Sequence, residues 1–343
     1  MVTDPTEKVS LTQEVARALR ENTVHHDWGT AVVGGERVRY DLRTIDARTA
    51  AQRAEDERRG RPAGPVIVVV PGHGQTVNGP RKLLAAAALL SRSKIAWCIN
   101  ATPSWGGDYT EGKAITVIIR ERLGALFPRI FDTTGMETAA EAILMGWSHG
   151  GSEALRAAAE DPDLFPYFVG LCPTGFVERR PLELLGSFCL EAARITGRSI
   201  LHRRWGYLRD TLRLGLDLQI GLAQDLWHGR SVIKLIKDVA WASRKVPGPT
   251  FPYTGQALVV WGKQDTVVRW RDVFPKCADP DGIAGSQARF QQENLPYARR
   301  VEAAIIDGDH VGPEADAPAF VRLGLGWLDQ LDGSLSPDWP PGR

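Results

Sequence analysis

The 343-residue sequence predicts an α/β protein in which a mainly parallel β-sheet is flanked by helices and carries a helical cap insertion. Two observations predict the sheet. Short apolar runs alternate with segments of helical periodicity, as in βαβ units, and the β-branched run at 66–70 is unbroken, as in a strand buried on both faces. A third observation predicts the insertion, because the alternation stops at Phe176 and no strand pattern returns before Pro249.

Local patterns predict the elements that precede the insertion. Residues 1–24 form an N-terminal helical extension, and residues 29–45 predict a β-hairpin that turns at Gly34-Gly35. Apolar runs then predict strands within 66–70, 94–108, 142–146 and 167–175. Helical spacing of apolar residues predicts helices within 81–93, 115–127, 136–141 and 152–161, the last of which ends before Pro162.

The insertion is predicted to be a cap made of helices. Helical spacing is found at 181–195, 205–227 and 231–245. Leu208, Leu212 and Leu216 form an apolar stripe on the second helix, and we expect this stripe to pack against the nearest surface, above the carboxyl ends of the strands. Residues 176–249 contain 13 basic and 7 acidic side chains, which fits either a solvated outer face or a cap that favours an anionic substrate or a carrier protein.

The strand and helix alternation resumes after the cap. A strand is predicted from Ala257 to Trp261, another over 299–306, and an amphipathic helix over 317–331. The predicted division of the chain is an extension at 1–24, a core in two parts at 25–175 and 251–332, the cap at 176–250, and a loose tail at 333–343.

Composition excludes several classes of function. A net charge of +1 argues against a general nucleic-acid or membrane-surface binder. The absence of a signal-peptide pattern and of any apolar run near ~18 residues predicts a cytoplasmic protein without a membrane span. Four cysteines lie far apart, without a C-x-x-C pair, so we expect buried free thiols. No pair of histidines has H-x-x-x-H spacing, and we expect neither a metal nor a cofactor.

Residues 146–150 read Gly-Trp-Ser-His-Gly and match the G-x-S-x-G pattern. An apolar run precedes them and a helical segment follows, which is the context that a strained nucleophile turn requires. Small residues on both sides allow the close backbone packing of such a turn. We therefore predict that Ser148 is a nucleophile, with an ordinary βα turn as the alternative.

A serine nucleophile needs a histidine base and an acid that orients it. Asp265 lies four residues beyond one predicted strand, and His310 lies four residues beyond the last one. The order Ser148, Asp265, His310 is the order expected for this kind of sheet. Asp307 and Asp309 are rival acids, but they share the loop of the histidine and would need a sharp reversal to reach its ring.

Acyl transfer also needs N–H donors for the developing oxyanion. The backbone N–H of His149, which follows the serine, is the first expected donor. The second is expected from the glycine-rich loop at 71–76, where the backbone N–H of His73 is our first choice and that of Gln75 is the alternative.

Four segments together resemble the α/β-hydrolase superfamily. They are VIVVVPGHG at 66–74, GWSHGG at 146–151, VVWGKQD at 259–265, and DGDHVGP at 307–313 followed by the helix at 317–328. The resemblance implies a catalytic triad of Ser148, Asp265 and His310 and a cap inserted before the acid-bearing strand. The oxyanion loop departs from the family pattern, because Pro-Gly rather than His-Gly directly follows the strand; the register of the donor therefore stays open.

The resemblance implies hydrolysis of a carboxylic ester, thioester or lactone through a covalent acyl-enzyme. Serine at position 148 argues against the haloalkane dehalogenase and epoxide hydrolase chemistries, which use aspartate there. An acyltransferase, cyclase or thioesterase would use the same residues, and a binding protein on a hydrolase scaffold is a third hypothesis. The expected partner is a small-molecule acyl substrate, free or linked to a carrier.

Overall fold

The computed structural model describes residues 13–15, 17, 19, 25–72, 75–102, 111–126, 142–227, 244–277 and 279–331. These residues contain one eight-stranded sheet of order β1-β2-β4-β3-β5-β6-β7-β8. The strands are β1 His25–Val33, β2 Glu36–Asp46, β3 Val66–Val70, β4 Ile95–Thr102, β5 Ala142–Trp147, β6 Tyr167–Leu171, β7 Gln256–Gly262 and β8 Arg300–Ile306.

The sheet is parallel from β4 to β8, and only β2 runs against its neighbours β1 and β4. The predicted hairpin is confirmed, and it turns at Gly34 and Gly35, whose φ angles of 59° and 88° favour glycine. The prediction that β3 is buried on both faces is also confirmed. Val66, Val68 and Val70 pack into the apolar layer on one face of the sheet, and Ile67 and Val69 pack into the layer on the other.

Helices cover both faces of the sheet. They are α1 Ala50–Arg59, α2 Arg81–Leu90, α3 Glu111–Leu126, α4 His149–Glu160, α5 Pro181–Leu201, α6 Trp205–Trp227, α7 Trp270–Val273, α8 Gln287–Asn294, α9 Gly312–Ala315 and α10 Ala317–Leu331, with a 3₁₀ helix at Pro280–Ser286. Helix α1 has no counterpart among the predicted elements. Its sequence signal is a capping box, in which Thr49 accepts from Gln52 N and the Gln52 side chain accepts from Thr49 N.

The predicted cap begins and ends at one place on the sheet. Its first part follows β6, its last part precedes β7, and Val246 N donates to Gly175 O at 2.7 Å across the two stems. Helices α5 and α6 confirm two of the three predicted cap helices. The third predicted helix, at 231–245, lies almost entirely outside the described residues, as do the predicted helix at 136–141 and the tail at 333–343. The domain limits at 176 and 250 stay predictions.

The orientation of α6 corrects one prediction. Of the three leucines predicted to pack over the strand ends, Leu212 and Leu216 are 61% and 57% exposed and face outward, and Leu208 is partly buried. The buried face of the helix carries Asp210, Leu214 and Asp217 instead. Two of these three side chains are acidic, and they have polar partners on the sheet domain, so the helix is turned by hydrogen bonds and ion pairs rather than by its leucines.

The four cysteines are free, but the expectation that they are buried holds only for Cys98 and Cys172. Cys189 is exposed on α5, and Cys277 is partly buried at the margin of one apolar layer of the sheet. The described residues 13–15, 17 and 19 are helical, as predicted for the extension. Val15 packs into the same apolar layer of the sheet as Ile67 and Val69. None of the helices in the described parts of the chain combines the length and apolar character that crossing a membrane requires.

Candidate active site

Ser148 stands between β5 and α4 in a strained backbone conformation, with φ 55° and ψ −125°. Its N–H donates to Leu171 O at 3.0 Å, which ties the turn to the neighbouring strand. The flanking glycines have no room for a side chain. A Cβ on Gly146 would lie 2.4 Å from Gly150 O, and one on Gly150 would lie 2.2 Å from Pro71 O. The sequence therefore holds the serine on a sharp turn at the carboxyl end of a central strand.

Asp265 lies in the turn that follows β7, and its carboxylate is fully engaged. Oδ1 accepts from Val267 N and Val268 N, each at 2.8 Å, and Oδ2 lies 2.9 Å from Nδ1 of His310. The two backbone donors fix the carboxylate plane, so that its second oxygen faces the imidazole.

His310 follows β8 and joins the other two predicted residues. Its Nε2 lies 2.9 Å from Ser148 Oγ, and its carbonyl oxygen accepts from Trp147 Nε1 at 3.0 Å. Because the carboxylate of Asp265 can only accept, Nδ1 is the donor to it and Nε2 is left to accept the hydroxyl proton of Ser148. All three side chains are buried. The structure thus brings together the three residues predicted as a triad.

The rival acids occupy other positions. Asp309 accepts hydrogen bonds from the Tyr207 hydroxyl and from Val311 N at 3.1 Å, so its carboxylate is engaged by partners other than the histidine ring. Asp307 is exposed and lies 3.5 Å from Gln264 Nε2. Of the three candidates, Asp265 is the one that is hydrogen-bonded to the imidazole.

The surroundings of His310 raise its pKa above the ordinary histidine value. Burial lowers the pKa, and the charge and hydrogen bond of Asp265, followed by the charges of Glu191 and Asp309, raise it by more. A buried imidazolium is therefore stabilised here, which is the state that the histidine reaches when it takes a proton from a nucleophile.

The expected oxyanion donors are only partly described. His149 is the first residue of α4, so its backbone N–H lies at the positive end of that helix beside Ser148. His73 lies outside the described residues. Gln75 N donates to Gly72 O at 3.1 Å, and Gln75 Oε1 accepts from Gly72 N at 3.1 Å. The backbone N–H of Gln75, the alternative oxyanion donor, is therefore already hydrogen-bonded within its own turn.

One cap residue that sequence reasoning missed contacts the histidine loop. Glu191, on α5, is 2% exposed and accepts from His310 N at 3.2 Å, from the Thr266 hydroxyl, and from the Arg194 guanidinium at 2.9 and 3.1 Å. Arg194 also donates to Gln264 O. This carboxylate thus joins the acid turn, the histidine loop and the cap. The sequence shows only a Glu and an Arg at i,i+3 on a helix, which is common on solvated faces.

Two further contacts place cap helices against the site. The Phe188 ring on α5 packs edge-on against the His310 ring, with centroids 5.3 Å apart. On α6, Asp217 accepts from Thr76 N at 3.0 Å and from Thr76 Oγ1 at 2.6 Å, which ties the cap to the predicted oxyanion loop. The loops that follow β3, β7 and β8 are therefore all in contact with the cap.

Among the described residues, one group of side chains has the spacing that a metal site requires. The ligand atoms of Cys172, Asp265 and His310 lie within 4.8 Å of one another. Their chemistry argues against a metal. Burial, with the nearby charge of Asp265, raises the pKa of the Cys172 thiol well above its ordinary value, whereas a metal ligand must be a thiolate. The other two side chains are hydrogen-bonded to each other.

Comparison with solved structures identifies the fold. A thermophilic esterase from Thermogutta terrifontis aligns with a TM-score of 0.52 and 12% identity over 89% of this chain and 99% of that chain. A membrane phospholipase A, described as a bacterial virulence factor, aligns with a TM-score of 0.51 and 13% identity over 95% of this chain and 92% of its own. An α/β-hydrolase enzyme from a Medee basin deep-sea metagenome library aligns with a TM-score of 0.50 and 13% identity over 91% of this chain and 100% of its own.

No family model matches the sequence, and no curated protein matches it. The likeness is therefore one of structure, and it extends over almost the full length of each chain compared. The eight-stranded sheet with its one reversed strand near the edge, the strained serine turn after β5, and these alignments agree: the chain has the α/β-hydrolase fold.

Proposed function

We propose that the chain is a serine hydrolase that cleaves a carboxylic ester, thioester or lactone through a covalent acyl-enzyme. The observation that carries this proposal is the hydrogen-bonded series from Asp265 through His310 to Ser148, with both links at 2.9 Å. The series lies at the carboxyl ends of three strands, where this fold places its chemistry. The likeness in fold to an esterase and a phospholipase A agrees with this class of reaction.

In the first half of the proposed reaction, Ser148 Oγ attacks the acyl carbon while its proton passes to His310 Nε2. The Asp265 carboxylate stabilises the imidazolium by accepting from Nδ1–H. The backbone N–H groups of His149 and His73 are the proposed donors to the oxyanion, and the engagement of Gln75 N with Gly72 O favours His73 over Gln75. Collapse of the tetrahedral intermediate breaks the bond between the acyl carbon and the leaving oxygen or sulfur, and His310 gives its Nε2 proton to the departing alkoxide or thiolate. In a lactone this alkoxide stays attached to the acyl chain. Ser148 is left acylated.

In the second half, His310 Nε2 removes a proton from a water molecule, and the hydroxyl oxygen attacks the acyl carbon. The same donors hold the second oxyanion, and Ser148 regains its proton as the acid departs. An alcohol or amine in place of water would give an acyltransferase or cyclase.

The cap contacts support a small or narrow acyl substrate, because Phe188 places an apolar ring against the catalytic base. We include carrier-linked acyl groups among the proposed substrates, because the cap contains 13 basic residues against 7 acidic ones and would attract an anionic carrier.

A cytoplasmic location is proposed on the free thiols, since four unpaired cysteines suit a reducing compartment.

The test is labelling with a fluorophosphonate probe. Wild-type protein should be labelled, and Ser148→Ala should lose both the label and hydrolysis of p-nitrophenyl esters. Ser152→Ala is a matched control, since Ser152 lies one turn further along α4 and its hydroxyl donates to Thr174 O at 2.8 Å. Equal labelling of Ser148→Ala would mean that another residue carries the chemistry, and an unlabelled, folded wild type would mean a binding protein.

Further measurements then identify the class of acyl substrate and the acceptor. A series of p-nitrophenyl esters with increasing acyl length measures how much of the chain the site accepts. Product analysis with and without an added alcohol or amine separates hydrolysis from acyl transfer.

A further inference from the structure

Helix α6 presents an exposed apolar face along its whole length. The outer cap face, as we call it, comprises six side chains that are between 44% and 88% exposed: Trp205, Leu212, Leu216, Ile220 and Trp227 on α6, and Leu201 at the end of α5. Within α6 these residues are spaced by seven, four, four and seven positions, which places them on one side of the helix. A tryptophan lies at each end of the α6 part of this face.

The opposite side of α6 is held by polar contacts, so the apolar face cannot turn inward. Asp217 accepts two hydrogen bonds from Thr76, Asp210 pairs with the Lys82 ammonium, and Tyr207 donates to Asp309. Asp210 and Asp217 are 4% and 7% exposed. Rotation of the helix would leave these carboxylates buried without partners, which is strongly unfavourable. The outward orientation of the leucines is therefore part of the fold.

The exposed charges of the cap are mostly positive. Among the described cap residues, the exposed charged side chains are Arg180, Arg198, Arg203, Arg204, Arg209, Arg244 and Lys245, against Glu178 and Glu183. The acidic side chains Glu191, Asp210 and Asp217 are buried. The described part of the cap thus shows a positive exterior, although the net charge of the whole chain is only +1.

We propose that the outer cap face docks on the surface of an anionic phospholipid bilayer. An apolar helix face with arginines beside it and tryptophans at its ends is suited to the headgroup region, where the rings and leucines enter the acyl boundary and the arginines meet phosphate. The helix lies flat in this arrangement and does not span the bilayer. Two copies of this chain would instead bring like-charged arginines together, which disfavours a dimer through this face.

Docking would bring the site close to the lipid. The inner side of α6 contacts the loops of Thr76 and Asp309, so one helix diameter, about 10 Å, separates the headgroups from those loops. Binding itself needs no catalysis, and it is measured independently of the proposed hydrolase activity.

The test is co-sedimentation of the full chain with vesicles of phosphatidylcholine alone and of phosphatidylcholine mixed with phosphatidylglycerol. Wild type should bind the mixed vesicles and bind the neutral ones much less. Leu212→Glu combined with Leu216→Glu should lower the partition coefficient at least about tenfold. Val32→Glu is the control, because Val32 is an apolar side chain on β1 with 63% exposure and lies outside the cap.

A second variant tests the charges while leaving the six apolar side chains unchanged. Arg198→Gln with Arg209→Gln should lower binding to the mixed vesicles by about fivefold for each arginine, and added salt should reduce wild-type binding. Wild-type binding by the double glutamate variant, or equal binding to both kinds of vesicle, would overturn the proposal. So would a dimer in sedimentation analysis that this variant dissociates, without any vesicle binding by wild type.

Discussion

Replacement of Glu191 by glutamine tests whether the cap supports the histidine of the proposed triad. The carboxylate accepts hydrogen bonds from His310 N, Thr266 and Arg194, and it lies almost fully buried. Glutamine keeps the size of the side chain but presents an NH₂ group where one of these donors now meets an oxygen. One donor would therefore face another donor, and the negative charge beside the histidine loop would be lost.

The size of the effect follows from burial and from the partners that remain. Removal of one member of a buried ion pair costs about 3–5 kcal/mol. Arg194 keeps its hydrogen bond to Gln264 O, and its side chain is 21% exposed, so we expect a loss near the lower end, about 3 kcal/mol in the free energy of unfolding.

The same substitution should move the pH profile. Burial lowers the pKa of His310, and the charges of Asp265 and Glu191 raise it, so removal of the Glu191 charge lowers it. The histidine then stays neutral, and able to act as a base, to lower pH. The acidic limb of kcat/KM for a p-nitrophenyl ester should therefore shift to lower pH, while kcat/KM at the plateau falls because the carboxamide fits the donors around the histidine loop less well than the carboxylate.

Glu183→Gln is the matched control, because Glu183 is exposed in the first turn of the same helix and the change in charge is identical. Both variants would be examined by denaturant unfolding and by the pH dependence of kcat/KM. Identical behaviour of the two would refute the role of Glu191. A loss of stability with an unmoved acidic limb would reduce Glu191 to a purely structural contact.

Three further predictions concern the nucleophile turn and its partners. Asp265→Asn should lower kcat by up to about 10⁴-fold in the same ester assay, because the imidazolium loses its partner, whereas Asp307→Asn should leave kcat near wild type. Gly150→Ala should lower the free energy of unfolding by about 3 kcal/mol, since the added Cβ would meet strand backbone, while Gly186→Ala, which meets nothing within 4 Å, should be neutral or slightly stabilising. Burial raises the pKa of Glu153 to about 7, so ionisation weakens the fold as pH rises towards 7; Glu153→Gln should add up to about 3 kcal/mol in urea unfolding at pH 8 and much less at pH 5.

Much of the sheet and the positions of Ser148, Asp265 and His310 followed from sequence because the signals are local. A strand run ending in a turn marks the carboxyl edge of a parallel sheet, and side chains placed at several such ends must meet there. Glycine on either side of Ser148 then distinguishes a strained turn from an ordinary one.

The cap was harder because its partners are distant in sequence. Asp217 meets Thr76 across 141 positions, and Glu191 meets His310 across 119, so neither contact leaves a local pattern. The rule that an amphipathic helix buries its apolar stripe failed for α6, since the burial of Asp210 and Asp217 is secured by partners on the sheet domain. Helix α1 was missed for a related reason, because it is mostly charged and buries little.

The hydrogen bond between Val246 N and Gly175 O joins the two ends of the cap, so the cap leaves and rejoins the sheet at one point. Because the two stems already touch, a different insertion of any length could enter and leave the sheet there with little change in the cost of closing the loop. The sheet domain would nevertheless impose conditions on a replacement, since Thr76, Lys82, Thr266 and the backbone of His310 would each need a new partner. Exchange of the cap is thus a route by which the proposed catalytic loops could acquire new substrates, provided that those four polar groups are satisfied.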